Sequence, residues 1–128
     1  MSTPTADRAR PLSPVVVGLL DALVVLVFAA VGRREHDSGH PVAGVLETAW
    51  PFLVGALLGH LLALAVLRRS TASLLSGAVV WALTVPVGMV LRQLTDQGTA
   101  FAFVLVATGF TGFFLLGWRA LALVARRR

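Results

Sequence analysis

The chain contains no cysteine and no lysine, and charged residues make up 13% of its 128 positions. Without cysteine there is no disulfide, no thiolate metal site and no cysteine nucleophile, and the sequence carries no mark of its redox compartment. Charge this sparse does not fit an ordinary soluble domain, in which about a quarter of the residues are charged. The motifs of soluble catalysis are missing too. There is no nucleophile elbow, no glycine loop to cradle a phosphate, no paired metal motif and no serine–histidine–acid set. Intramembrane proteolysis needs paired aspartates, or a serine beside a histidine, and Asp21 is the one acid deep in an apolar run. No enzymatic activity and no cofactor are therefore expected.

What is present is apolar. Hydrophobic residues reach 57%, and they gather in four runs, each near or above the ~20 residues that cross a bilayer. The spans are expected at about 15–31, 46–67, 74–91 and 100–124. A chain this short cannot hide so much apolar surface in a soluble core. The sequence thus predicts an all-α membrane protein, a single domain over residues 15–125, whose first partner is the lipid bilayer. The net charge of +5 fits arginines that orient spans and touch anionic head groups. Nucleic acid is not expected, because no water-exposed basic face with aromatic readers is present.

Residues 1–14 read as a disordered tail, with Ser13-Pro14 as a helix start that places proline at the first position. A signal peptide is the competing reading of the first run, and Asp21 inside it counts against cleavage. The segment from Gly32 to Gly44 reads as a loop. Trp50-Pro51-Phe52 is placed near the start of the second span, where proline costs little. Arg68-Arg69-Ser70-Thr71 makes a tight basic connection, and 126–128 is a basic end. Arginine counting sets the orientation. Arg8, Arg10, Arg68, Arg69 and the last three residues share one side, against Arg33, Arg34 and Arg92 on the other. That asymmetry predicts cytoplasmic termini. Short connections favour an antiparallel up-down-up-down bundle.

The third span, from Gly77 to Arg92, is the least uniform. Gly77, Trp81, Thr84, Gly88 and Arg92 recur at helical spacing and share a face, so the other spans are expected to pack around it. With a rise of ~1.5 Å per residue, Asp21, His60 and Trp81 lie roughly 9–10 Å from the cytoplasmic ends of their helices, and Arg119 about 7–8 Å. A lone Asp or Arg at a span centre costs about 2.5–3.5 kcal/mol on insertion scales, so a shared intramembrane polar site is expected, with Asp21 paired to Arg119. A second cluster of Arg33, Glu47 and Arg92 is expected at the outer side.

Each group also has a plainer reading. Asp21 and Arg119 can form a structural pair that fixes helix register, and Arg119 can snorkel to the head groups instead. His60 reads as a packing residue before a proton relay, and Trp81 as a packing residue whose N–H finds an acceptor. Gly55, Gly59 and Ala63 form a small-residue ridge for close helix approach. His36 and His40 are separated by Gly39 and followed by Pro41, a loop pattern in which no metal site is expected.

The order and spacing of several stretches carry a resemblance. They are Asp21 followed by VFAAVGRREH (Val27 to His36), AWPFLVGALLG (Ala49 to Gly59), then Trp81, Thr84, Gly88-Met89 and Arg92, then Gly98-Thr99 and Trp118-Arg119. Over roughly residues 15–120 this resembles the membrane-protein family catalogued as domain of unknown function 3054. The resemblance implies a four-span bacterial or archaeal-type membrane protein and transfers no functional residue. Two functions stay open, with transport the leading one. One is transport of an ion, proton or small solute past Asp21, His60, Trp81 and Arg119, which in so small a bundle calls for a homo-oligomer. The other is a non-transporting scaffold, assembly partner or lipid-binding accessory.

Overall fold

The computed structural model describes residues 12–32, 41–68 and 70–126. Four helices follow in chain order: α1 (Pro14–Gly32), α2 (Pro41–Leu62), α3 (Leu74–Leu94) and α4 (Phe101–Arg126). A π-helical turn, Ala63–Leu67, continues α2, and all four helices are long and apolar enough to cross a membrane. Residues 1–11 of the expected tail, Arg33, Arg34, His36, His40 and the last two arginines lie outside the described residues.

Local chemistry sets most helix ends. The Ser13 hydroxyl accepts from the Val16 N–H at 3.2 Å, opening α1 just before its first-position proline. Ser73 caps α3 in the same way, accepting from the Ser76 N–H at 3.1 Å. Arg68 takes a left-handed conformation, φ 54°, and its N–H closes the π-helical turn onto the Ala63 carbonyl. Between α3 and α4, Gly98 has φ 91°, a conformation glycine adopts without steric cost.

The second helix corrects the sequence reading. It begins at Pro41, five residues before the expected 46, and takes in residues assigned to the loop. Pro51 therefore lies inside the helix rather than in its first turn, and the backbone there lacks the N–H that would reach back one turn. Membrane helices tolerate such an interior proline when neighbours re-satisfy the backbone.

The helices form an antiparallel ring. Each packs on its neighbours in the chain and α4 closes against α1, with the α2–α3 contact the most extensive. Gly55 and Gly59 make that contact close. A Cβ on Gly59 would sit 2.6 Å from Val80 Cα, and one on Gly55 would sit 2.7 Å from the Leu83 carbonyl oxygen. The small-residue ridge is thus used inside the chain, against α3.

Ionic and polar groups are buried beside an apolar core, while many large apolar side chains are exposed. Asp21, His60, Thr84, Thr111 and Arg119 are buried, while Leu19, Leu57, Val90, Phe113 and Leu121 are exposed. Large apolar residues turned outward and ionic groups turned inward are the arrangement hydrocarbon selects, because lipid solvates the first and not the second. At the Gly32 end of α1 the core is aromatic. Phe28 meets Phe52 edge-on, with ring centroids 5.3 Å apart, and also packs on Phe103 and Phe110.

Candidate functional site

One ionic network occupies the other half of the bundle. Asp21 projects from α1, His60 from α2, and Trp118 and Arg119 from α4. The carboxylate accepts four hydrogen bonds. Oδ1 receives Trp118 Nε1–H at 2.9 Å and an Arg119 Nη1–H at 3.0 Å. Oδ2 receives an Arg119 Nη2–H and the His60 Nε2–H, each at 2.7 Å. The Asp21–Arg119 contact is therefore a parallel two-bond pairing, the geometry in which a guanidinium binds a carboxylate best.

Arg119 is saturated as well. Besides the two bonds to Asp21, its Nη1 donates to the Leu115 carbonyl at 2.9 Å. Its Nε and Nη2 donate to the Thr71 carbonyl at 3.0 and 2.8 Å. A guanidinium has five N–H donors, and each has an acceptor here. Asp21 and Arg119 are each 1% exposed. Arg119 turns inward rather than snorkelling, with its guanidinium carbon 4.7 Å from the centroid of the Trp118 ring.

Two features let the long arginine side chain lie inside the bundle. The first is Gly77 on α3, where a Cβ would stand 2.5 Å from Arg119 Cδ and 2.9 Å from its Nε. The absent side chain is the notch that holds the arginine stem. The second is the α2–α3 connection, which folds back so that the Thr71 carbonyl points at the guanidinium. Ser73 and Ser76 fix that connection, with the Ser76 hydroxyl donating to the Ser70 carbonyl at 2.8 Å. The Thr71 hydroxyl is buried without a hydrogen-bond partner among the described residues.

The expected site residues separate on inspection. Asp21, His60 and Arg119 meet, whereas Trp81 does not join them. Its indole N–H donates to the Thr108 carbonyl at 3.0 Å, and its ring packs over Gly112. Equal depth had suggested a common site, but depth leaves the direction around the helix axis open. Gly77, one turn earlier on α3, meets Arg119 instead. Trp118 and the Thr71 carbonyl were missed. Trp118 adjoins Arg119 in sequence, a weak signal; a backbone carbonyl gives none.

The expected outer cluster has another arrangement. Arg92 donates from Nε to the Gly98 carbonyl at 2.9 Å, and from its Nη atoms to the Gln97 carbonyl and side chain at 2.9 and 3.1 Å. Its guanidinium carbon lies 4.3 Å from the centroid of the Phe103 ring. Among the described residues Arg92 pairs with no carboxylate, and Glu47 is exposed on α2. Loop carbonyls a few residues away satisfy the arginine at lower ordering cost than a side chain on another helix. Arg33, the third member, lies outside the described residues.

A groove of about 340 Å³ runs between α1 and α2 beside the network. Gly18, Leu53, Leu57 and Leu64 line it, with Asp21 and His60 at its inner wall. No group of three or more potential metal-ligating side chains occurs among the described residues.

Four antiparallel helices of membrane-spanning length, apolar outside and ionic within, define a multi-pass membrane protein. Residues 18–122 match the family described as protein of unknown function (DUF3054), and the chain belongs to that family. No curated protein and no solved structure matches it.

Proposed function

We propose that this protein is a non-transporting component of a prokaryotic cytoplasmic membrane, a helical scaffold or lipid-binding accessory with both termini in the cytoplasm. One observation carries the reading: every N–H of Arg119 and four lone-pair positions of Asp21 are used within the chain. A transported ion or proton would have to displace bonds already made in a low-dielectric interior, where each is costly to break. Nucleic acid has no place in this reading.

The orientation rests on the arginine asymmetry and has its own test. The chain has no cysteine, so Ser70→Cys and Ala100→Cys each introduce one thiol. An impermeant maleimide applied to intact cells should label Ala100→Cys, and should label Ser70→Cys only after permeabilisation. The reverse pattern would invert the assignment.

Transport is the rival, and the groove favours it, because it reaches Asp21 and His60 from one side. Its other walls are apolar, and Asp21 keeps 1% exposure. Reconstitution in liposomes separates the two. Wild-type protein should leak protons and ions no faster than empty vesicles. A leak present in wild type and lost in Asp21→Asn would establish transport and remove the present reading.

A further inference from the structure

The α1–α2 groove is a cavity that the ionic network leaves unused. Its volume, about 340 Å³, lies at the small end of ligand pockets. A Cβ built on Gly18 meets no atom within 4 Å, so this wall is recessed without being needed for helix contact. The neighbouring outer positions Val15, Leu19, Leu57, Leu61 and Leu64 are exposed apolar residues of the two spans. The groove therefore opens towards hydrocarbon, and what enters it comes from the bilayer.

One polar feature marks the wall. His60 Nε2 is engaged with the Asp21 carboxylate, which leaves Nδ1 as the ring nitrogen open to another partner. Nδ1 has no hydrogen-bond partner among the described residues, and His60, 8% exposed, lines the groove. A ring nitrogen among leucines calls for a ligand with one hydroxyl, which can donate or accept, and a hydrocarbon chain. A charged head group is disfavoured, because the Asp21 and Arg119 charges already offset each other and a further charge at this depth would stand alone. A helix from a second copy does not fit, since its diameter with side chains is ~10–12 Å. The residues before Leu12 include Asp7, Arg8 and Arg10 and are no filler for an apolar slot.

We propose that the α1–α2 groove binds an uncharged long-chain lipid alcohol from the bilayer, its hydroxyl hydrogen-bonded to His60 Nδ1 and its chain lying along Gly18 and Leu57. This deepens the lipid-binding form of the proposed function and rests on it in one respect, that the Asp21–Arg119 pair is a closed wall rather than a path.

The test uses the full chain in nanodiscs and a hexadecanol probe carrying a photoreactive diazirine in its chain. Labelling should map to the α1 and α2 segments around Gly18 and Leu57. Excess hexadecanol should compete it away and hexadecane should not. Gly18→Leu fills the recess without touching the network, and should lower labelling about tenfold, equivalent to ~1.4 kcal/mol of binding, with thermal stability unchanged. Labelling spread over all four lipid-facing helices, or unchanged in Gly18→Leu, would overturn the site. Equal competition by hexadecane would overturn the hydroxyl contact with His60, and cross-linking to a second copy would replace the lipid with a protein partner. A liposome leak would overturn the non-transporting reading separately, without altering the labelling map.

Discussion

Arg119 is the side chain whose burial costs most, and its surroundings show how that cost is met. Its head is held by two carboxylate bonds and three carbonyl bonds. Trp118, its neighbour in sequence, donates to the same carboxylate. A hydrogen bond to a charged group contributes about 1.5–3 kcal/mol in soluble proteins, and interhelical bonds in membranes about 1–2 kcal/mol at most. Trp118→Phe should therefore lower stability by about 1 kcal/mol, measured by titration from mild to denaturing detergent, while the bundle stays helical. The Asp21–Arg119 partnership was legible because Asp21 is the one deep acid and Arg119 the base nearest its level. Trp118 was not legible, since an indole in a span has many places to find an acceptor. Trp81 shows the difficulty: its acceptor is the Thr108 carbonyl, which no side-chain pattern announces.

At the level of the elements, α3 is the helix on which α2 and α4 are seated. Its glycines face both neighbours, with Gly77 admitting Arg119 and Gly88 admitting the Phe52 ring. α2 returns the fit, with Gly55 and Gly59 bringing its backbone against Leu83 and Val80. Close backbone approach is what holds membrane helices together when lipid is as apolar as their side chains. A methyl group at Gly59 meets backbone that cannot rotate away. Gly59→Ala should cost about 1–3 kcal/mol through overpacking, whereas Gly18→Ala, which faces open space, should be neutral or slightly stabilising. Equal midpoints for the two variants in the same detergent titration would show that the α2–α3 contact is looser than described. The glycine spacing on these helices was readable in sequence. The start of α2 was not, because Pro51 imitates a first-turn proline while Pro41, ten residues earlier, holds that place.

For the whole molecule, hydropathy decided the class and tertiary packing decided the site. Four apolar runs and short connections were enough to imply an antiparallel bundle, because few other folds satisfy every backbone group in hydrocarbon. The network needed more than that. Depth along a helix follows from counting residues, but whether two side chains at one depth meet depends on helix rotation, which notches such as Gly77 set. The same ring of helices isolates Asp21 and Arg119 from water and from lipid, and it brings the first helix against the last. If the pair holds that closure, its two members should be strongly interdependent. A double-mutant cycle with Asp21→Leu, Arg119→Met and the combination, read as unfolding midpoints, tests this most directly. Each single change leaves a buried charge without its partner and should cost about 3–5 kcal/mol, while the double change should recover most of that loss. Additive losses, with the double variant the least stable of the three, would contradict the account.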